Sequence, residues 1–226
     1  MRRGLGFSAD RIGEVFRTWN QGVLDSYLME ISADILTKKD ADGQPLVEKI
    51  LDHAGQKGTG QWTAINVLEI GVPLTLIGEA VFARHLSAML EERVQAATVL
   101  PGPTEAFEGD GKGFVNSVRD ALFYAAKIIS SAQGYMLMRE AAREYGWKLN
   151  YGGIALMWRG GCIIRSAFLR QYQAGLRGQS GVGKPPVGRF FRRGDAQRAD
   201  RLAYGGGQGR SARHSGPGHL GRPGLL

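Results

Sequence analysis

Apolar residues recur at three- and four-residue spacing through most of the first 169 positions, and no stretch keeps the two-residue rhythm of a strand. Ser8 stands as an N-cap ahead of a helix over 9–20 that ends near Gly22. Leu24, Leu28, Ile31 and Ile35 then mark a second amphipathic helix running to about Lys38. Asp40 to Pro45 is turn-rich, and a short helix over 46–53 leads into a glycine-rich segment, Gly55 to Gly60. The next helix, 61–70, is broken by Gly71 and Pro73, and one from Leu74 to about Val99 is stopped by Pro101-Gly102-Pro103. A polar loop over 104–112 follows. Phe114, Val118, Leu122, Ala125, Ile129, Ala132 and Met136 mark the longest helix, 113–145, with Gly146 just past its end and its apolar face turned to several neighbours. Tyr151 to Arg165 is apolar and punctuated by glycine, as an internal segment would be. The pattern predicts an all-α body.

The periodicity stops after Leu169. Of the 57 residues from Arg170 onward, 14 are glycine, and the apolar residues among them settle into no helical register. Such a segment buries too little apolar surface to offset the entropy of ordering it. The expected organisation is therefore a helical domain, 1–169, and a disordered Gly/Arg-rich tail, 170–226. The tail holds ten Arg and one Lys against two Asp, so the whole-chain charge of +8 resides there and the first 169 residues balance at −1. A nucleic-acid reading would rest on the tail alone. With no RGG repeat and little aromatic interleaving, nucleic acid is an unlikely partner. No apolar run approaches the roughly 18 residues of a membrane span. No secretory apolar core follows Met1-Arg2-Arg3-Gly4, and Cys162 is the sole cysteine, which together point to a reducing, cytoplasmic setting. Four scattered histidines and that cysteine give no metal-ligand spacing.

The chemistry concentrates in Gly55-Gln56-Lys57-Gly58-Thr59-Gly60. Three glycines in six positions let the backbone turn tightly and approach a ligand, and successive N–H groups ahead of a helix form an anion-binding concavity. Lys57 adds a charge and Thr59 a hydroxyl, so the loop suits a phosphate or carboxylate. It is not a nucleotide P-loop: Gln61-Trp62 stands where Lys-Ser/Thr is required, and no strand precedes Gly55. On loop chemistry alone, a solvated connector carrying a surface lysine remains the competing reading.

The wider run Ile50 to Trp62 resembles the signature of the 6-phosphogluconate dehydrogenase family. The resemblance continues through Trp19-Asn20, Asp25-Ser26-Tyr27-Leu28, Gly71-Val72-Pro73 and Glu79-Ala80-Val81-Phe82-Ala83-Arg84. It extends through Lys127-Ile128-Ile129-Ser130, Gln133-Gly134 and Trp158-Arg159-Gly160-Gly161-Cys162-Ile163-Ile164-Arg165-Ser166, up to about residue 169. It implies the family's all-helical substrate-binding and dimerisation domain. The implied reaction is oxidative decarboxylation of 6-phosphogluconate to ribulose 5-phosphate with NADP reduction, in the pentose phosphate pathway, by a homodimer. Lys57 and Thr59 match the family's phosphate-contacting lysine and threonine, and Arg84 its substrate-binding arginine. A point-charge lysine with a forked guanidinium also suits a dianionic phosphate on general grounds.

The family's catalytic lysine and glutamate and its NADP-binding domain lie upstream of the segment resembled here, so no catalytic or cofactor-binding residue is expected in this chain, and alone it should be inactive. The alternative role is a catalytically inactive binding or dimerisation module. In the family a C-terminal tail reaches the partner's active site with an arginine and a histidine. Arg213-His214 sits in a different context and inherits neither role. An out-of-frame origin accounts for the tail's composition. His53 and His85 flank the loop, Cys162 reads as a buried small hydrophobe, and Arg165 as the partner of an acid in the helical core.

Overall fold

The structure is a computed structural model that describes residues 1–102 and 107–170. Among these residues the regular structure is all helical, with two isolated β-bridges and no strand. The predicted disordered tail lies outside the described residues from position 171 on.

A first turn, α1 (Arg2–Leu5), precedes α2 (Ala9–Asn20), whose N-cap Ser8 accepts a hydrogen bond from the Arg11 N–H through its side chain. The chain reverses through 21–26 into α3 (Tyr27–Thr37), which packs along α2. A one-turn 3₁₀ helix, Leu46–Lys49, follows the acidic connector, where Lys49 reaches both Asp40 and Asp42. Three helices then follow the glycine loop, of which the first two pack together: α4 (Thr59–Ile70), α5 (Thr75–Ala88) and α6 (Leu90–Val99). The helix expected over 74–99 is therefore two helices. Met89, with φ −84° and ψ 58°, lies outside the helical region and turns the chain between them.

A long rod completes the fold. It consists of α7 (Gly111–Asp120), a π-helical stretch (Ala121–Ile128) and α8 (Ile129–Glu144), all sharing helical backbone angles at their joints. The rod exists where the pattern placed its helix, but its buried face differs. Phe123, Tyr124 and Ile128 are buried, while Leu122, Ala125 and Ile129 face outward. The wide π turn takes up one residue more than an α turn, so the apolar set after Val118 shifts by one position. A strict 3.6-residue count cannot see that shift.

Two apolar clusters result. The larger joins Trp19, Leu24 and Met29 of the α2–α3 hairpin to Phe123, Tyr124, Ile128 and Tyr135 of the rod, to Ala155 of α9 (Tyr151–Met157) and to Phe168. Phe168 arrives because the 159–170 segment is tied to the hairpin. Tyr27 N–H donates to the Arg165 carbonyl and Ala167 N–H to the Asp25 carbonyl, each at 3.0 Å, and the Arg165 guanidinium meets Glu30 at 2.6 Å. The acid partner of Arg165 is thus Glu30, but the pair lies on the surface, with both side chains exposed, and not in the helical core as expected. The smaller cluster is Val67, Val72 and Leu74, packed against Met136 and Leu137 of α8. From the same helix Gln133 caps the start of α5: its Oε1 accepts from Leu76 N–H and its Nε2 donates to Thr75 Oγ1. Tyr151 to Arg165 is less internal than expected. Ala155 is fully buried, but Met157 and Ile163 are about two-thirds exposed and Cys162 is only partly covered.

Lys127 lies half-buried in the π stretch. Burial pushes its ammonium down from 10.5 to about 8, while the charge of Asp25 pulls the other way. The unfolded chain keeps this proton up to about 10.5, so between pH 8 and 10 unfolding takes up a proton and Lys127 makes stability rise with pH. Tyr135, pushed up to about 12 by burial, opposes that trend only above pH 10. Urea midpoints measured from pH 8 to pH 10 should therefore climb less in Lys127→Met than in the parent chain, and the variant should be the more stable at pH 7.5. Equal slopes would show that the ammonium is solvated in the folded state.

Candidate functional site

Residues 51–58 have no regular structure, and α5 and α6 hold them in place. Ala54 N–H donates to Ser87 Oγ at 3.1 Å, and Arg84 Nη1 donates to the Gly55 carbonyl at 2.8 Å. Arg93 binds Asp52 through both its carboxylate and its carbonyl. Gln56 Nε2 lies 3.0 Å from Gln61 Oε1 and 3.1 Å from His85 Nε2. Gln56 Oε1 is buried and accepts no hydrogen bond among the described residues.

The glycines have separate reasons for being there. Gly58 sits at φ +94° as the N-cap of α4, a conformation that side chains resist. Gly60, in the first turn of α4, lies against α5, where an added Cβ would stand 2.9 Å from Val81 Cγ2. Gly55 meets neither constraint: its φ is not positive and open space surrounds it.

Of the three expected anion-binding residues, Lys57 and Thr59 lie on the loop and at its exit into α4, and Arg84 reaches the same loop from α5 at Gly55. Lys57 is exposed on the loop and makes no hydrogen bond or ion pair among the described residues. Thr59 is the first residue of α4, two positions earlier than the helix start read from the pattern. The first intrahelical turn leaves N–H groups of Thr59, Gly60 and Gln61 without helical acceptors, beside the positive end of the dipole. Arg84 is exposed and spends one arm on the Gly55 carbonyl, leaving its remaining N–H groups available. His85 enters the loop network through Gln56, whereas His53 stays exposed and bonds only locally. The notable omissions from the sequence reading are Ser87 and Arg93, which support the loop from positions with no motif of their own. No group of three or more His, Cys, Asp or Glu among the described residues is placed to hold a metal.

A helical domain whose glycine loop offers a free lysine, an arginine fork and a helix N-terminus presents the donors that an anion would need. Comparison with known proteins is more specific. The family model for the 6-phosphogluconate dehydrogenase C-terminal domain matches residues 1–192, extending past Leu169, where the motif resemblance stops. The chain is 63% identical over 177 residues to "6-phosphogluconate dehydrogenase, decarboxylating" of Schizosaccharomyces pombe, covering 78% of this chain and 36% of that protein. It is 61% identical over 170 residues to the protein of the same name from Homo sapiens, covering 75% and 35%. Among solved structures, Plasmodium falciparum 6-phosphogluconate dehydrogenase, described in its apo form and in complex with its cofactor NADP+ and its substrate 6-phosphogluconate, superposes with a TM-score of 0.77. It does so at 36% identity over 91% of this chain and 43% of that one. The chain belongs to the 6-phosphogluconate dehydrogenase C-terminal domain family. It spans about a third of the length of the curated relatives it matches.

Gly58→Ala should cost about 1–3 kcal/mol through its backbone angle, whereas Gly55→Ala should leave the urea midpoint unchanged. Equal midpoints for the two variants would show that the Gly58 angle is not enforced in solution.

Proposed function

We propose that this chain supplies the phosphate-holding side of a 6-phosphogluconate site. Lys57 provides a point charge, Thr59 a hydroxyl beside the free N–H groups of α4, and Arg84 a guanidinium already anchored at Gly55. The anchoring of Arg84 carries the reading, because it converts a mobile surface arginine into a second cation fixed on the loop that bears Lys57. A phosphate dianion placed there meets two positive charges and oriented N–H donors. In a complete enzyme of this family the grip would orient the sugar acid for oxidative decarboxylation with NADP, as in the pentose phosphate pathway.

The residues described do not fit NADP. A dinucleotide is held at a strand-to-helix turn, and outside two isolated bridges they contain no β-structure. NADP would accept the hydride when bound, and none of these residues is assigned a step in that transfer. The isolated chain is thus proposed to bind the sugar phosphate without turning it over. Organisation as a helical domain over 1–169 with a separate tail, and a cytoplasmic setting, belong to the same proposal. No helix among the described residues is long and apolar enough to cross a membrane.

A second reading, assembly into a homodimer, is favoured by the apolar surface of α4 and α5. Trp62, Leu68 and Phe82 are each more than two-thirds exposed, and Leu86 is 58% exposed. Faces of that kind mark interaction surfaces on soluble domains. Light scattering of the purified chain tests it, and a monomer at all concentrations would remove it.

Calorimetric titration of 6-phosphogluconate tests the principal reading. Lys57→Met and Arg84→Met should each weaken binding by about tenfold or more, since each removes a charge-assisted contact. Neither should change affinity for gluconate, which lacks the phosphate. NADPH formation by the isolated chain would overturn the claim that it does not catalyse, and full affinity in both variants would overturn the phosphate grip.

A further inference from the structure

Arg93 occupies a joint that no motif marks. It lies in the first turn of α6, just past the break at Met89, and its side chain is only 28% exposed. Its Nη2 donates to two backbone carbonyls, Asp52 at 2.6 Å and Ser87 at 3.1 Å, while Nη1 meets Asp52 Oδ2 at 3.0 Å. Ser87 is in the last turn of α5, where carbonyls lack intrahelical partners and the dipole favours a cation. The same serine's Oγ accepts from Ala54 N–H. One guanidinium therefore ties together the end of α5, the start of α6 and the entrance of the glycine loop.

The three bonds differ in worth. The Asp52 side chain is 82% exposed, so its ion pair is screened by solvent and contributes little. Both carbonyl bonds are charge-assisted and directed at backbone, and the one to Ser87 is part-buried, which makes them the contacts that set loop position. A lysine is shorter and carries one nitrogen where arginine has Nη1 and Nη2, so it cannot span the two carbonyls and the carboxylate together. Arg84 cannot substitute either, since it holds the loop three residues later, at Gly55, and faces the site itself.

We propose that Arg93 is a positioning residue for the anion grip: by clamping the Asp52 and Ser87 carbonyls it fixes where Lys57 and Thr59 stand. The proposal rests on the reading of the loop as a 6-phosphogluconate site. It acts through the backbone and involves no contact between Arg93 and the ligand.

Two measurements on the full 226-residue chain test it: ligand-free amide hydrogen exchange, and calorimetry with 6-phosphogluconate. In Arg93→Met, exchange at Ala54, whose N–H is held by Ser87, should accelerate about tenfold or more, while the amides of α2 and α3 keep their protection. Affinity for 6-phosphogluconate should fall about tenfold, because displaced donors lose their alignment. Arg93→Lys keeps a cation at the end of α5 and so protects the fold, yet should lose most of the protection at Ala54. Asp52→Asn keeps both carbonyl bonds and should stay within about twofold of the parent chain in both readouts. Unchanged loop exchange in Arg93→Lys and Arg93→Met would overturn the proposal, as would an Asp52→Asn effect as large as theirs. If the parent chain binds no 6-phosphogluconate, the sugar-phosphate reading falls, and loop exchange still decides whether Arg93 sets the loop.

Discussion

A stretch of backbone with no helix or strand of its own must find its hydrogen-bond partners elsewhere or give them up to water. Residues 51–58 find theirs on the last turns of α5 and the first turn of α6. Ala54 N–H, the Gly55 carbonyl and the Asp52 carbonyl go in order to Ser87, Arg84 and Arg93. Loop shape therefore depends on the elbow at Met89, and the position of α5 depends in turn on α8, which caps it through Gln133 and packs under Val72 and Leu74. The site is the last link in a chain of support that starts in the rod.

That dependence explains why the cations can be exposed and still ordered. A lone surface arginine loses rotamer entropy when it meets a ligand, and exposed ion pairs return little for that loss. Arg84 is held through one arm before any anion arrives, so part of its ordering is complete in the free domain. Lys57 has no such anchor, and the backbone beneath it supplies its placement. The large exposed apolar residues of α4 and α5 show that this lobe covers its surface less completely than the α2–α3 lobe, where Trp19, Leu24 and Phe168 are almost wholly enclosed.

Much of this was legible in the chain. Ser8, the connector at 40–45, the breakers at Gly71 and Pro73 and the glycine loop act through nearest neighbours, and local chemistry located them correctly. Lys57, Thr59 and Arg84 could be singled out because a short motif and a helix carry them. Three features escaped. The break at Met89 follows from backbone angles that no glycine or proline announces. The buried face of the rod changed register through a wide turn whose residues read as ordinary helix formers. Ser87 and Arg93 support the loop across 33 and 41 positions of sequence, a distance at which periodicity carries no information.

The wide turn at 121–128 has a consequence for how the gene can change length. On the N-terminal side of it Val115 and Val118 pack against the larger cluster; beyond it, neighbouring positions of α8 serve different clusters, Tyr135 the larger, Met136 and Leu137 the smaller. Inserting or deleting one residue in a regular α-helix rotates everything beyond it by about 100°. In α7 or α8 that rotation would carry Tyr135 or Gln133 away from its partners. A π turn is an insertion already accommodated, with its extra residue absorbed inside one widened loop of backbone. Single-residue indels among relatives should therefore be rare in the regular parts of the rod, and where one is found it should add or remove this bulge.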